Sequence, residues 1–257
     1  MGRQWRYPAA TVLLLLVLWD LCVRLFNLPV YLVPRPSAVA TRMVTDAGLL
    51  LRHGAITFAE SVGGFLLSVA IGVPLGMALV WSRLLERSVM PLLVVSQSFP
   101  KVAIAPLIVI WFGLGVLPKL VIGFLIAFFP VVISAIAGMR SVDPDLLDLA
   151  RSMQGTGLRT FLKIRLPFAL PQMFAGFKVA VAFATVGAVV GEWVGADSGL
   201  GYLLLWANAN LDTSLLFGIL VCLMIIGLLL YYAVELVERL LLPWHVSVRD
   251  GTLRATM

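Results

Sequence analysis

Charged side chains are scarce in this sequence of 257 residues. Asp, Glu, Lys and Arg make up 12% of it and apolar residues make up 61%, whereas roughly a quarter of the residues in a soluble domain are charged. This composition excludes a soluble monomer. The formal net charge is +6, but Lys and Arg set the orientation of membrane proteins, so the basic excess does not indicate a nucleic-acid partner.

Cysteine and histidine are also rare. The two cysteines, Cys22 and Cys222, both lie in apolar runs, and the two histidines, His53 and His245, stand alone. Isolated thiols and imidazoles indicate neither a disulfide framework nor a metal site. We therefore expect no metal and no other cofactor.

Several catalytic patterns are missing. The sequence has no G-x4-G-K-[S/T], so it lacks a phosphate-binding loop and is not expected to hydrolyse ATP itself. A membrane enzyme would need an acid/base or nucleophile set within its spans, which is absent unless the substrate supplies the group. An ion-coupled secondary transporter remains an alternative, since it needs no ATP motif. However, such a carrier would show inverted repeats and paired broken helices, and we find no repeat.

Long apolar runs are abundant, and they predict an all-α integral membrane protein. Runs near the 20 residues needed to cross a bilayer place six helices at about 9–28, 58–81, 90–112, 117–139, 170–191 and 214–237. The first resembles a signal peptide but lacks a small-residue cleavage site, so we interpret it as a membrane helix. Pro100, Lys101 and Pro106 interrupt the third.

The distribution of basic residues assigns the two sides. An even number of spans puts both termini on one side, and twelve Lys and Arg fall there, against four on the other side, which are Arg35, Arg42, Arg52 and Lys119. The positive-inside rule makes the first side cytoplasmic. We expect one transmembrane domain over residues 1–257, with a cytoplasmic loop at about 140–168 and outer segments at about 29–57 and 192–213.

The outer segments and two glycine pairs carry further signals. Residues 37–52 predict a helix along the outer interface, capped by Ser37. Residues 192–214 predict a short outer helix or re-entrant piece. The GxxxG spacings at Gly72/Gly76 and Gly187/Gly191 favour close helix packing.

A charged stretch, DLLDLARSMQGTGLRTFLKIRLP at 145–167, interrupts the apolar sequence. Asp143 and Pro144 predict a helix start, and an apolar stripe follows at helical spacing, formed by Leu146, Leu149, Ala150 and Met153. The QGTG sequence predicts a turn, and a second short helix should present Phe161 and end at Leu166–Pro167. This helix–turn–helix is either an ordinary basic loop that sets topology or an element that docks into a cytoplasmic partner.

This stretch resembles the EAA loop of bacterial ABC-importer permeases, whose pattern is E-A-A-x3-G-x9-I-x-L-P. Its first and last places are held here by Asp148, Leu149, Ala150, Ile164, Leu166 and Pro167. The glycine place holds Gln154, and Gly155 follows it. The predicted ATPase-coupling loop comprises Asp148, Leu149, Ala150, Met153, Gly155, Ile164, Leu166 and Pro167.

Other short sequences resemble the nitrate, taurine and alkanesulfonate branch of the same MetI-like permeases, which also serves pyrimidines and riboflavin. They are VPRPSAV, WFGLG, GMRSVDP, LPFALP, GLGYLL and LLPWH. The resemblance implies the transmembrane subunit of an importer in a bacterial inner membrane. Its implied partners are a second copy of this permease, two ATP-binding subunits and an external solute-binding protein.

Two charged residues are candidates for the translocation path. Lys101 falls near the middle of a span, where a bare lysine costs at least a few kcal/mol, so it should face a wet cavity, a partner or, by snorkelling, the interface. Pro100 and Pro106 fit a broken helix that lines such a cavity. Glu192, at the outer end of the fifth span, is either part of an outer gate or an acid that anchors the helix at the interface.

Overall fold

The computed structural model describes residues 6–153 and 157–243, which are helical with no strand among them. This confirms the predicted all-α class. The helices in chain order are α1 (Arg6–Leu25), α2 (Pro36–Thr45), α3 (Ala47–Trp81), α4 (Arg83–Ser98), α5 (Ala105–Phe112), α6 (Val116–Arg140), α7 (Pro144–Ser152), α8 (Gly157–Thr160), α9 (Leu166–Gly195), α10 (Leu200–Ala209) and α11 (Thr213–Leu241). A 3-10 segment (Lys101–Ile104) precedes α5, and a π-helical turn (Phe161–Arg165) precedes α9.

Four helical stretches of the described chain are long and apolar enough to cross a membrane, and one bent pair makes up to five. The four are α3, α6, α11 and the stretch Phe161–Gly195. The protein is therefore a multi-pass membrane protein. The sequence boundaries of α6 and α11 agree with the predictions within a few residues, whereas the count of six spans stays a prediction.

The third predicted span, 90–112, is broken as its interrupting residues predict and ends at Phe112, but its first helix begins earlier, at Arg83. Helices α4 and α5 meet at 83°. Helix α4 ends at Ser98, and the next residue, Phe99, has an extended backbone at φ −78° and ψ 127°, because the ring of Pro100 disfavours helical geometry in the residue before it. The predicted interruption at Pro100 and Lys101 thus becomes a sharp bend.

The outer helix differs from its prediction. Pro36 takes the first helical position and Arg35 is the N-cap without a side-chain cap bond, so Ser37 lies inside the helix and does not cap it. Proline suits this first position because its missing N–H would have no partner there. Helix α2 ends at Thr45, and the next helix starts at Ala47, well before the predicted residue 58.

The predicted stop at Leu166–Pro167 is also wrong, since the second helix of the hairpin runs on into α9. The π-helical turn makes this possible: the N–H of Leu166 bonds to the carbonyl of Phe161, five residues back. A wider turn just before Pro167 accommodates a residue that cannot donate a backbone hydrogen bond.

Helices α3, α6 and α9 pack closely around small residues. A Cβ on Gly64 would lie 3.1 Å from the Cα of Gly123, and one on Gly187 would lie 2.5 Å from the same atom. Gly72 and Gly76 face Val131 and Ala135 in the same way. These contacts confirm that the two GxxxG spacings mark close helix packing, and they bring the outer ends of the three helices together.

Helix α1 lies at the edge of this core. Its residues Val12 to Leu18 are all exposed, and it contacts α2 and, through Trp19, Phe217 of α11 at 5.4 Å between ring centroids. Asp20 and Arg24, one turn apart, form an ion pair of 2.7 Å, as their spacing predicts.

Candidate functional site

The charged hairpin at residues 143–165 begins as its sequence predicts. The backbone N–H of Asp145 donates to Asp143 Oδ1 at 2.9 Å, and Pro144 is the first residue of α7. An acidic side chain that satisfies a free amide at a helix start stabilises the helix. The first helix of the hairpin is therefore fixed by local chemistry.

The apolar stripe of the hairpin's first helix is only partly packed against its own chain. Leu149 is 57% exposed and Met153 is 76% exposed, while Leu146 and Ala150 are half-buried. Asp148 lies exposed on the same helix. Gly155 and its neighbour Gln154 lie outside the described residues. The hairpin thus presents large apolar side chains that a partner can cover.

Phe161 does not belong to this exposed surface, contrary to the prediction that it helps grip a partner. Its side chain is buried, and its ring meets Trp81 edge to face at 5.5 Å between centroids. Ile164, Leu166 and Pro167 are half-buried at the base of the hairpin. The end of α3 supplies a surface for Phe161 that sequence spacing did not reveal.

An ion pair connects the bent span to the same region. Arg140, in the last turn of α6, pairs with Glu86 of α4. Arg140 lies three residues before Asp143, so the hairpin starts next to the ion pair that joins α6 to α4.

Lys101 stands at the bend between α4 and α5. It is half-buried, and its Nζ lies 5.9 Å from the ring centroid of Phe129 on α6. Among residues 6–153 and 157–243, no carboxylate forms an ion pair with it. A cation held against an aromatic face at a helix break can receive an anionic or aromatic group. Its place on the path stays a prediction.

A buried ion pair between α3 and the first turn of α6 was missed by the sequence reasoning. Lys119 Nζ lies 2.7 Å from Glu60 Oε1, and both side chains are almost wholly buried. Glu60 precedes Gly64 by about one helical turn, and Lys119 precedes Gly123 by the same spacing; the two glycines contact each other. This equal spacing is the sequence signal that could have predicted the pair.

Glu192 lies beside this pair on α9 and is 1% exposed. Its carboxylate accepts hydrogen bonds from Thr57 Oγ1 at 2.6 Å and from the N–H of Gly201. Thr57 Oγ1 in turn accepts from the N–H of Leu200 at 2.8 Å. Glu192 is thus enclosed between α3, α9 and α10, and its predicted role in the path stays a prediction.

Near the inner end of α9, Lys178 pairs with Glu238 of α11 at 2.6 Å. Its Nζ also lies 5.6 Å from the ring centroid of Tyr231. An acid on the neighbouring helix therefore neutralises Lys178 within the bundle.

The sequence matches the family model described as "Binding-protein-dependent transport system inner membrane component" over residues 68–244. It is 41% identical to a probable ABC transporter permease protein of Haemophilus influenzae, covering 89% of this chain and 93% of that protein. It is 38% identical to the riboflavin transport system permease protein RibX of Chloroflexus aurantiacus, covering 95% and 94%. It is 34% identical to the formylaminopyrimidine transport permease protein ThiX of Halalkalibacterium halodurans, covering 93% and 95%.

A solved structure of the MetNI methionine ABC transporter in an inward-facing conformation has the same fold. The TM-score is 0.66 at 21% identity, and the match covers 76% of this chain and 97% of the other. The family model, the relatives and the solved structure agree with one another on the family and the fold. The chain therefore belongs to the family of binding-protein-dependent transport system inner membrane components, and it is a permease subunit of the ABC-importer type.

Proposed function

We propose that two copies of this permease and two ATP-binding subunits form an importer in a bacterial plasma membrane. An external binding protein delivers a small polar or anionic solute to the permease pair. Both termini and the hairpin face the cytoplasm, where the basic residues predominate. ATP hydrolysis belongs to the separate subunits.

The exposed stripe of α7 carries this proposal. A capped helix that leaves Leu149 and Met153 in solvent suits a groove on an ATP-binding subunit. Full burial of a large apolar side chain contributes roughly 1.5–3 kcal/mol, whereas an exposed ion pair contributes about 1 kcal/mol or less. Apolar contacts therefore contribute most of the binding free energy between the hairpin and the ATP-binding subunit. This binding must persist when the ATP-binding subunits move the hairpin in either direction.

The solute passes the bend between α4 and α5 in this proposal. Lys101 and Phe129 offer a positive charge and an aromatic face at one place. A sulfonate, nitrate or other small anion fits the charge, and a pyrimidine or flavin fits both features. The two relatives named for a formylaminopyrimidine and for riboflavin favour the heteroaromatic class.

Copurification tests the docking step. A tagged permease is expressed with the ATP-binding subunit encoded beside it, and Leu149→Asp should reduce the recovered ATP-binding subunit at least tenfold. Leu84→Asp is the matched control, since Leu84 is an exposed leucine (76%) at the cytoplasmic corner between α3 and α4. Full recovery with Leu149→Asp would show that the hairpin is not the docking element.

The solute is identified on the binding protein. Riboflavin, a formylaminopyrimidine, taurine and nitrate are each added to the purified binding protein, and its melting temperature is recorded. We expect a heteroaromatic compound to raise the melting temperature by several degrees. Stabilisation by taurine or nitrate alone would assign the small-anion class instead.

A further inference from the structure

The hairpin and the outer end of the protein are parts of one helical element. The helical stretch Phe161–Gly195 has 35 residues without a break. At about 1.5 Å per residue, such a helix is about 50 Å long. Its inner end is the base of the hairpin, and its outer end carries Glu192.

The inner end is held firmly. Phe161 is buried against Trp81 at the end of α3, and Ala169, one turn into α9, is fully buried against Gly138 of α6. A displacement of the hairpin is therefore passed to α9 and not absorbed by a loose joint.

At the outer end, side chains of α3 and α9 hold the start of α10. The N–H of Gly199 donates to His53 Nδ1 at 3.0 Å, the N–H of Leu200 donates to Thr57 Oγ1, and the N–H of Gly201 donates to Glu192. The N-cap of α10 is Gly199, which has no side chain to accept these bonds. The free amides of this helix start are thus satisfied from outside α10.

The fit around Glu192 leaves no spare room. A Cβ on Gly201 would lie 2.8 Å from Glu192 Oε2, and one on Gly199, whose φ is +109°, would collide with the same carboxylate. The carboxylate also faces the positive end of the helix dipole. The contact between Glu192 and α10 is therefore both specific and close.

We propose that Glu192 is a positioning residue that fastens α10 to α9, so that α10 moves with the cytoplasmic hairpin and opens or closes the outer end of the path. The inference rests on the proposed coupling of the hairpin to ATP-binding subunits. It adds the element that carries the motion to the outer side, about 50 Å away.

Pulsed electron paramagnetic resonance on the complete transporter tests this proposal. Spin labels are placed on Asn208→Cys in α10 or on Ser152→Cys in α7, both exposed positions, after Cys22 and Cys222 are replaced by serine. Distances between the two copies are compared without nucleotide and with vanadate-trapped nucleotide. Both labels should shift in the otherwise unchanged chain. With Glu192→Gln, the shift at Asn208 should fall by at least half while the shift at Ser152 persists.

Asp197→Asn is the matched control and should keep both shifts, because Asp197 is exposed and bonds to Ser198. If Glu192→Gln does not assemble, Thr57→Val should reduce the Asn208 shift and Thr57→Ser should retain it. A full Asn208 shift in Glu192→Gln or Thr57→Val overturns the inference alone. Absence of any Ser152 shift in the parent chain overturns the proposed coupling, and the inference with it.

Discussion

The hairpin at residues 143–165 and the buried cluster of Glu60, Lys119 and Glu192 are both rich in charge, but they are built in opposite ways. In the hairpin the charged residues are close in sequence, and large apolar side chains such as Met153 stand in solvent. In the cluster, Glu60, Lys119 and Glu192 come from three helices and are buried. In the proposed transporter the hairpin offers these side chains to another protein, whereas the cluster joins three helices of one chain. Substitutions should therefore alter partner binding in the first region and folding in the second.

Lys119→Met should have the largest effect on stability. It leaves Glu60 buried without its partner, and breaking one side of a buried ion pair costs about 3–5 kcal/mol. The apparent melting temperature of the purified permease should fall strongly, and adding Glu60→Gln should recover part of the loss. Lys163→Met in the hairpin is the control, since this exposed lysine should be almost neutral. Equal melting temperatures for Lys119→Met and Lys163→Met would contradict the claim that the buried cluster, and not the hairpin, determines stability.

Gly187→Ala should have the second largest effect. The added methyl would lie 2.5 Å from the Gly123 backbone, and overpacking of a tight contact costs about 1–3 kcal/mol. Gly227→Ala is the matched control, because a Cβ there meets nothing within 4 Å and alanine favours a helix interior. We expect thermal denaturation to separate the two variants, with Gly187→Ala less stable and Gly227→Ala at least as stable as the parent.

Asp143→Ala should have a smaller, local effect. Losing a helix cap of this kind costs about 1 kcal/mol, and the loss falls on α7 alone. Hydrogen exchange of the α7 amides should accelerate severalfold while the amides of α6 and α9 remain protected. Asp143→Ser, which keeps a capping oxygen, should restore most of the protection. Faster exchange throughout the bundle would mean that α7 is part of the core.

The same contrast explains what sequence could predict. The start of α7 and the exposure of Leu149 and Met153 follow from neighbours a few residues apart, so the local sequence pattern was enough to predict them. The pair Glu60 and Lys119 is 59 residues apart in the chain, and no local rule joins them. Only the three-helix contact at Gly64, Gly123 and Gly187 does so.

Helix ends show where local rules compete. The bend after Phe99 follows from Pro100, but its angle depends on how α5 packs against α6 and α9. Pro36 displaced the expected cap at Ser37, because a proline at the first helical position is itself a strong start signal. Pro167 did not stop its helix, since a π-helical turn preceded it. Of these three outcomes, only the angle of the bend depends on packing beyond the local stretch of sequence.

Uptake of solute into vesicles tests the central claim most directly. The permease with Leu149→Glu or Met153→Glu is reconstituted with a saturating excess of the ATP-binding subunits, and ATP hydrolysis and solute uptake are measured in the same preparation. Because these side chains are exposed in the permease itself, its melting temperature should stay within the range of ordinary surface substitutions. The account predicts at least a tenfold loss of uptake per ATP hydrolysed. Normal uptake per ATP in both variants would contradict the claim that the hairpin couples hydrolysis to transport.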